Sequence, residues 1–166
     1  MERDELKALQ APLKERYREQ PEAAFVTLRA EGRLDAGGIV CSVATGRALV
    51  EAGLHPATGG TGELACSGDM LLEALAACAG VTLRSVATSL GFAVGGTVRV
   101  EGDLDFRGTL AVDREAPVGF REIRVAFDLE HELGEDDLVT LLRLTERYCV
   151  VLQTLVGGVP VHVAVS

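Results

Sequence analysis

Apolar residues recur along this chain with two different periods, and the switches between them divide it into elements. Over the first twenty residues Leu6, Leu9, Leu13 and Tyr17 fall at helical spacing among charged positions, which predicts an amphipathic helix ending near Pro21. Residues 22–30 and 38–45 are rich in Val, Thr, Phe and Ile and read as strands on either side of a turn over 31–37. A third short strand is expected from Arg47 to about Leu54. The stretch from His55 to Gly62, with its Pro and three Gly, is expected to be irregular.

From Asp69 to Leu90 the period is helical again, with Gly91 placed to stop the helix. Met70 to Val81 is apolar almost all round, so this helix has to be covered on most sides. Beyond it the period drops to two. Val98, Val100, Leu104 and Phe106 alternate with Thr97, Arg99, Glu101, Asp103 and Asp105, with Gly108 to Asp113 as the expected hairpin partner. Ile123, Val125, Phe127 and Leu129 repeat the alternation. One further long helix is expected from about Glu135 to Val156. Its first turn is acidic, Leu138, Leu141, Thr145, Cys149, Leu152 and Val156 share a face, and Gly157-Gly158 ends it. Val159 to Val165 reads as a last strand. The order of helix, three strands, helix, three strands, helix, strand is that of an α+β domain with antiparallel sheet, residues 22–166, preceded by the N-terminal helix, residues 1–21.

Composition narrows the function classes. A chain of 166 residues, 48% of them apolar, is one domain with a real core. The net charge of −9, with only two Lys among sixteen basic residues and no Trp, argues against a nucleic-acid surface. The charged start is not followed by an apolar signal region, and no charge-free apolar run reaches the roughly 18 residues of a membrane span. A soluble cytoplasmic protein without a membrane partner is the expectation.

Cys41, Cys66, Cys78 and Cys149 are too dispersed for a secreted disulfide scaffold and read as thiols in a reducing compartment. Taken singly each is a small core residue, and Cys41 reads as strand core. Cys78 and Cys149, however, sit on two helices that have to pack on each other or on one sheet. Their sulfurs are therefore able to approach, although a disulfide needs Cα atoms within roughly 7 Å. No Cys-x-x-Cys or His-x-x-x-His pairing suggests a metal. His55, His131 and His162 are candidate bases that nothing in the sequence joins to a cysteine. Gly59-Gly60-Thr61-Gly62 lacks the lysine of a phosphate loop.

The segment from Ser67 to Cys78, with its Leu71-Leu72 and Ala74-Leu75-Ala76-Ala77-Cys78, resembles the first cysteine helix of the OsmC/Ohr family. Tyr148 to Leu155 resembles the second, which in that family usually reads Cys-Pro-Val. Here Val150 stands in place of the Pro, and Gly68 occupies part of the acidic motif. The resemblance covers about residues 22–166. It implies the OsmC-like fold, antiparallel sheets packed around two long buried central helices. It also implies a homodimeric peroxidase without metal or bound cofactor, acting on organic or hydrogen peroxides in oxidative stress defence. Cys78 would attack the peroxide as a thiolate, Cys149 would resolve the sulfenic acid to a disulfide, and a dithiol would reduce it. An Arg and an acidic residue would support Cys78: Arg33, preferred over Arg47, and Asp69. Asp69 lies nine residues before Cys78, roughly 13 Å along the helix and half a turn out of phase, so a role for it requires the dimer interface. Two rival readings stand beside this one: a non-catalytic dimer of the same fold that binds an apolar small molecule, and an interaction protein with inert buried thiols.

Overall fold

The computed structural model describes residues 3–34, 41–43 and 52–165. An N-terminal helix, α1 (Arg3–Glu19), leads through a 3₁₀ turn at Pro21–Ala24 into β1 (Phe25–Leu34). Then come β2 (Cys41–Val43), β3 (Ala52–Gly53), β4 (Ala65–Cys66) and the long central helix α2 (Ser67–Leu90). After it follow β5 (Val94–Asp105), a one-turn helix α3 (Phe106–Thr109), β6 (Phe120–His131), α4 (Glu135–Tyr148) and α5 (Val150–Gly157). The main sheet is antiparallel in the order β2-β1-β5-β6, and β3 pairs with β4 in parallel as a separate ribbon. The α+β class with an antiparallel sheet expected from the alternating periods is the class observed.

The core lies where α2 crosses the sheet. Leu72, Leu75, Ala76, Ala79, Leu83 and Ala87 form its buried stripe, and Val98, Val100 and Leu104 of β5 meet it from the sheet. By length and hydropathy α2 would also serve as a membrane span. In this fold its apolar surface is spent on β1, β2 and β5 on one side and on α4 and α5 on the other. Gly91, at φ 75°, closes α2 by donating to Thr88, while Phe92 reaches back to Ala87. Helix α1 joins the same core through Tyr17, which is buried and donates to the Ala57 carbonyl at 2.6 Å.

Several expected elements come out differently. Residues 22–24 belong to the 3₁₀ turn, and 31–34, expected as turn, continue β1. The cause is the long ladder in which Phe25 to Arg33 pair with Asp105 to Thr97: cross-strand hydrogen bonds override the local turn signal of Glu31-Gly32. Most of the expected strand from Arg47 to Leu54 lies outside the described residues; only Ala52–Gly53 is seen as strand. Pro56–Thr58 forms a 3₁₀ turn where irregular chain was expected, with the His55 ring accepting the Ala57 N–H. Phe106 ends no strand, and Gly108 to Asp113 is not a hairpin partner. The Asp105 carboxylate caps α3 by accepting the Arg107 N–H, and β6 takes the place beside β5. The final segment, Val159 to Val165, is not a strand. It has no neighbouring strand among the described residues, and Val161, Val163 and Val165 are 80%, 94% and 101% exposed.

The central packing makes a direct prediction. Leu83 is fully buried between helix and sheet, so Leu83→Ala should cost about 2–5 kcal/mol of unfolding free energy in a denaturant titration.

Candidate active site

The second long helix expected from Glu135 to Val156 is two helices. Its polypeptide leaves helical geometry for one residue, Cys149, at φ −71° and ψ 105°. Helix α4 ends there, with the Cys149 N–H still bonded to Thr145 O at 2.9 Å. Helix α5 begins at once, its first bond running from the Gln153 N–H to Cys149 O at 2.9 Å. The break turns Cys149 inward: it is fully buried, while Tyr148 and Val150 on either side are 56% and 70% exposed. It also frees the first N–H groups of α5 from intrahelical partners.

Those N–H groups face Cys78. Its sulfur, on the half-buried middle of α2, has the Val151 and Val150 N–H groups, the Cys149 thiol and the Thr82 hydroxyl as its polar neighbours. Burial works to raise the Cys78 thiol pKa, but these four donors together outweigh it, and the net shift is downward. Placement at a helix N-terminus is a known way to favour a thiolate. Cys149 moves the other way, to about 11: burial raises it most, and donation to Cys78 holds its proton on, while the Leu152 and Val151 N–H groups only partly oppose this. The two thiols expected to approach are therefore in contact and differ in kind. Cys78 is the accessible, ionisable sulfur and Cys149 the buried, protonated one.

Of the other expected site residues, Asp69 is the one whose surroundings are described, and they lie apart from this pair. Arg47 lies outside the described residues. Arg33 sits on β1 opposite Ser42 and Thr97, and its side chain is outside the described residues. Asp69 is in the first turn of α2, where it interacts with His55 and Glu73. Burial raises its carboxyl, and the nearby His55 partly reverses this. Burial likewise lowers His55, whose ring stacks on Phe106 with centroids 4.9 Å apart. Asp69 thus belongs to a second, His55-centred cluster.

Sequence reasoning missed three of the four groups that surround Cys78. Thr82 carried a signal, since it follows Cys78 by four residues and so shares its helix face. The N–H groups of Val150 and Val151 carried none without knowledge of the helix break.

Beside the pair, a groove of about 590 Å³ opens between β6 and helices α4 and α5, lined by Leu75, Ile123, Val125, Phe127, Cys149 and Leu152 among others. On the opposite flank of α4, a cleft of about 430 Å³ runs along α2 and includes Thr82, Ser85 and Tyr148. The sulfur pair thus lies between two openings. One touches Cys149 directly, and the other reaches Thr82, the neighbour of Cys78.

A helix pair bearing two contacting cysteines, laid across an antiparallel sheet, defines a thiol-site protein of α+β type. The model of the OsmC-like protein family matches residues 60–164, a span that takes in both cysteine helices, and the chain belongs to that family. No curated protein matches it.

The geometry predicts a wide separation of the two thiols in a pH series. Because the Cys78 pKa is lowered, its thiolate persists to lower pH, so its alkylation by iodoacetamide should reach half its maximum below an ordinary thiol's midpoint of about 8.5. Cys149 should do so only near 11. Val150→Pro removes one donor at little cost to the backbone. Position N1 tolerates Pro, Cys149 already has the extended ψ that a following Pro requires, and the Val150 side chain points to solvent. The Cys78 midpoint, read by mass spectrometry of the labelled peptide, should rise in that variant while the Cys149 midpoint stays high.

Proposed function

We propose that this OsmC-like protein is a thiol peroxidase that reduces organic or hydrogen peroxides through Cys78 and Cys149. The observation that carries the reading is the helix break that buries Cys149 and sets the head of α5 against the half-buried Cys78, an arrangement that favours one sulfur as thiolate and holds the other as thiol. A core cysteine that merely fills space has no use for four donors. The attacking group needs ionisation and access, which are the properties of Cys78; the resolving group needs proximity, and Cys149 supplies it.

The cycle balances as follows. The Cys78 thiolate attacks the terminal oxygen of ROOH, the O–O bond breaks, and the alkoxide leaves and takes a proton to become ROH. Cys78 is now a sulfenic acid. The Cys149 sulfur attacks the Cys78 sulfur, hydroxide departs and takes up the Cys149 proton as water, and a disulfide forms. An external dithiol then reduces it by two exchange steps and is itself oxidised to a disulfide. The donors on Cys78 stabilise the thiolate in the resting state and again when exchange releases it as leaving group. Asp69 keeps its supporting role in this proposal only if a second subunit completes the site, and Arg33, or else Arg47, is the expected cation beside Cys78.

A homodimer fits the same reading. The β6–α5 side presents Ile123, Val125, Phe127, Leu152, Leu155 and Val156 around adjoining grooves, and the valines of the C-terminal segment are exposed as well. A two-fold partner would cover such a face. The rival reading, an apolar-ligand-binding dimer, is favoured by the size and lining of the groove at Cys149.

Two experiments separate these readings. Cys78→Ser should abolish peroxide consumption with a dithiol reductant, whereas Cys149→Ser should react once and leave a dimedone-reactive sulfenic acid on Cys78. Wild-type protein that consumes no peroxide, together with an unlabelled Cys78 in the Cys149→Ser variant, points to the binding protein. Sedimentation at micromolar concentration should give about twice the 17.5 kDa chain mass.

A further inference from the structure

We propose that Gln153 is a positioning residue for the cysteine pair: its side-chain amide occupies the Glu146 carbonyl and so keeps the Val150 N–H turned to Cys78. In an uninterrupted helix the Val150 N–H would donate to the carbonyl four residues back, which is that of Glu146. Here the Val150 N–H lies beyond the break at Cys149, outside the α4 ladder, and is among the groups that favour the Cys78 thiolate. The Glu146 carbonyl accepts the Gln153 Nε2 at 2.9 Å, across the break and seven residues along the chain. Two donors are thus addressed to one carbonyl oxygen, and while the Gln153 amide satisfies it, less is gained by restoring the Val150 bond that would merge α4 and α5. Merging would carry Cys149 into helical geometry and withdraw the first N–H of α5 from Cys78.

The same residue is fixed at its other end, because the Gln153 N–H makes the opening bond of α5 to Cys149 O. Gln153 therefore grips both sides of the break, through its main chain to Cys149 and through its side chain to Glu146. It lines the groove beside Cys149, and its hydrogen bonds go to the carbonyls of Glu146 and Cys149, so its effect on the pair is indirect. Near the break, the Thr145 hydroxyl bonds to Leu141 O within α4 and the Thr154 hydroxyl to Val150 O within α5. Both stay inside their own helix, unlike the Gln153 amide.

The inference deepens the proposed function, but it concerns the thiols themselves, and a thiol titration reads it whether or not peroxide is consumed. Gln153→Met keeps the length of the side chain and removes its donor. The full-length variant should keep its fold by circular dichroism while its Cys78 alkylation midpoint rises by half a pH unit or more, about threefold less thiolate at neutral pH. Gln153→Glu, of the same length and able only to accept when ionised, should do the same and serves if the Met variant does not fold. Val150→Pro provides the decisive background. Proline has no N–H to return to Glu146, and it disfavours helical geometry at Cys149, so the break is locked without help. Adding Gln153→Met to Val150→Pro should then move the Cys78 midpoint no further. An unchanged midpoint in Gln153→Met and Gln153→Glu, or a shift of the same size with and without Pro at position 150, overturns the proposal.

Discussion

A helix that leaves its geometry for one residue and then resumes strands the N–H groups that follow. In this protein the interruption at Cys149 falls where α4 and α5 cross α2, and the stranded groups of Val150 and Val151 find the sulfur of Cys78. The asymmetry of the site follows from that placement. The same step that sinks Cys149 into the core, where burial holds its proton on, aims the positive end of α5 at Cys78, where it favours the thiolate. A continuous helix could place both sulfurs near each other, but it would keep its N–H groups for its own carbonyls.

The remainder of the fold holds that crossing in place. Small residues on α2, Ala76 and Ala79 among them, are fully packed, and Leu72, Leu75 and Leu83 fill the space between the helix and β5. Because α2 is buried on two sides, a shift of Cys78 would have to move the sheet or the α4–α5 pair with it, and dense cores resist such motion. The groove beside β6 reaches Cys149, and the cleft along α2 reaches Thr82, one helical turn from Cys78. The ionisation of a thiol on one helix is thus favoured by the first turn of another.

Legibility in the sequence followed the range of the interactions. The extent of α2 and its glycine stop were readable because a long apolar run and a C′ glycine are local signals. So were the alternating strands β5 and β6 and the possible approach of Cys78 to Cys149. Where hydrogen bonds from distant chain decide, the reading failed. Residues 31–34 look like a turn until β5 lies beside them, and 108–113 look like a strand until Asp105 caps α3 and β6 takes the place in the sheet. The run Glu135 to Val156 carries one unbroken helical stripe, and nothing in it marks Cys149 as the break. The departure of Val150 from the family's usual Pro was visible. Its meaning, an additional N–H beside Cys78, appeared only in three dimensions. Asp69 was legible as an ionisable group near the start of α2, but its partner His55 comes from a loop that periodicity does not place.

The most direct test of the sulfur pair as a redox couple is peptide mapping of the wild-type protein after one equivalent of an organic hydroperoxide. The account predicts the loss of two thiols per peroxide and one intramolecular disulfide, joining the peptides of Cys78 and Cys149, with Cys41 and Cys66 still free. Recovery of all four thiols unchanged, or a disulfide involving Cys41 or Cys66 in place of that pair, would contradict it.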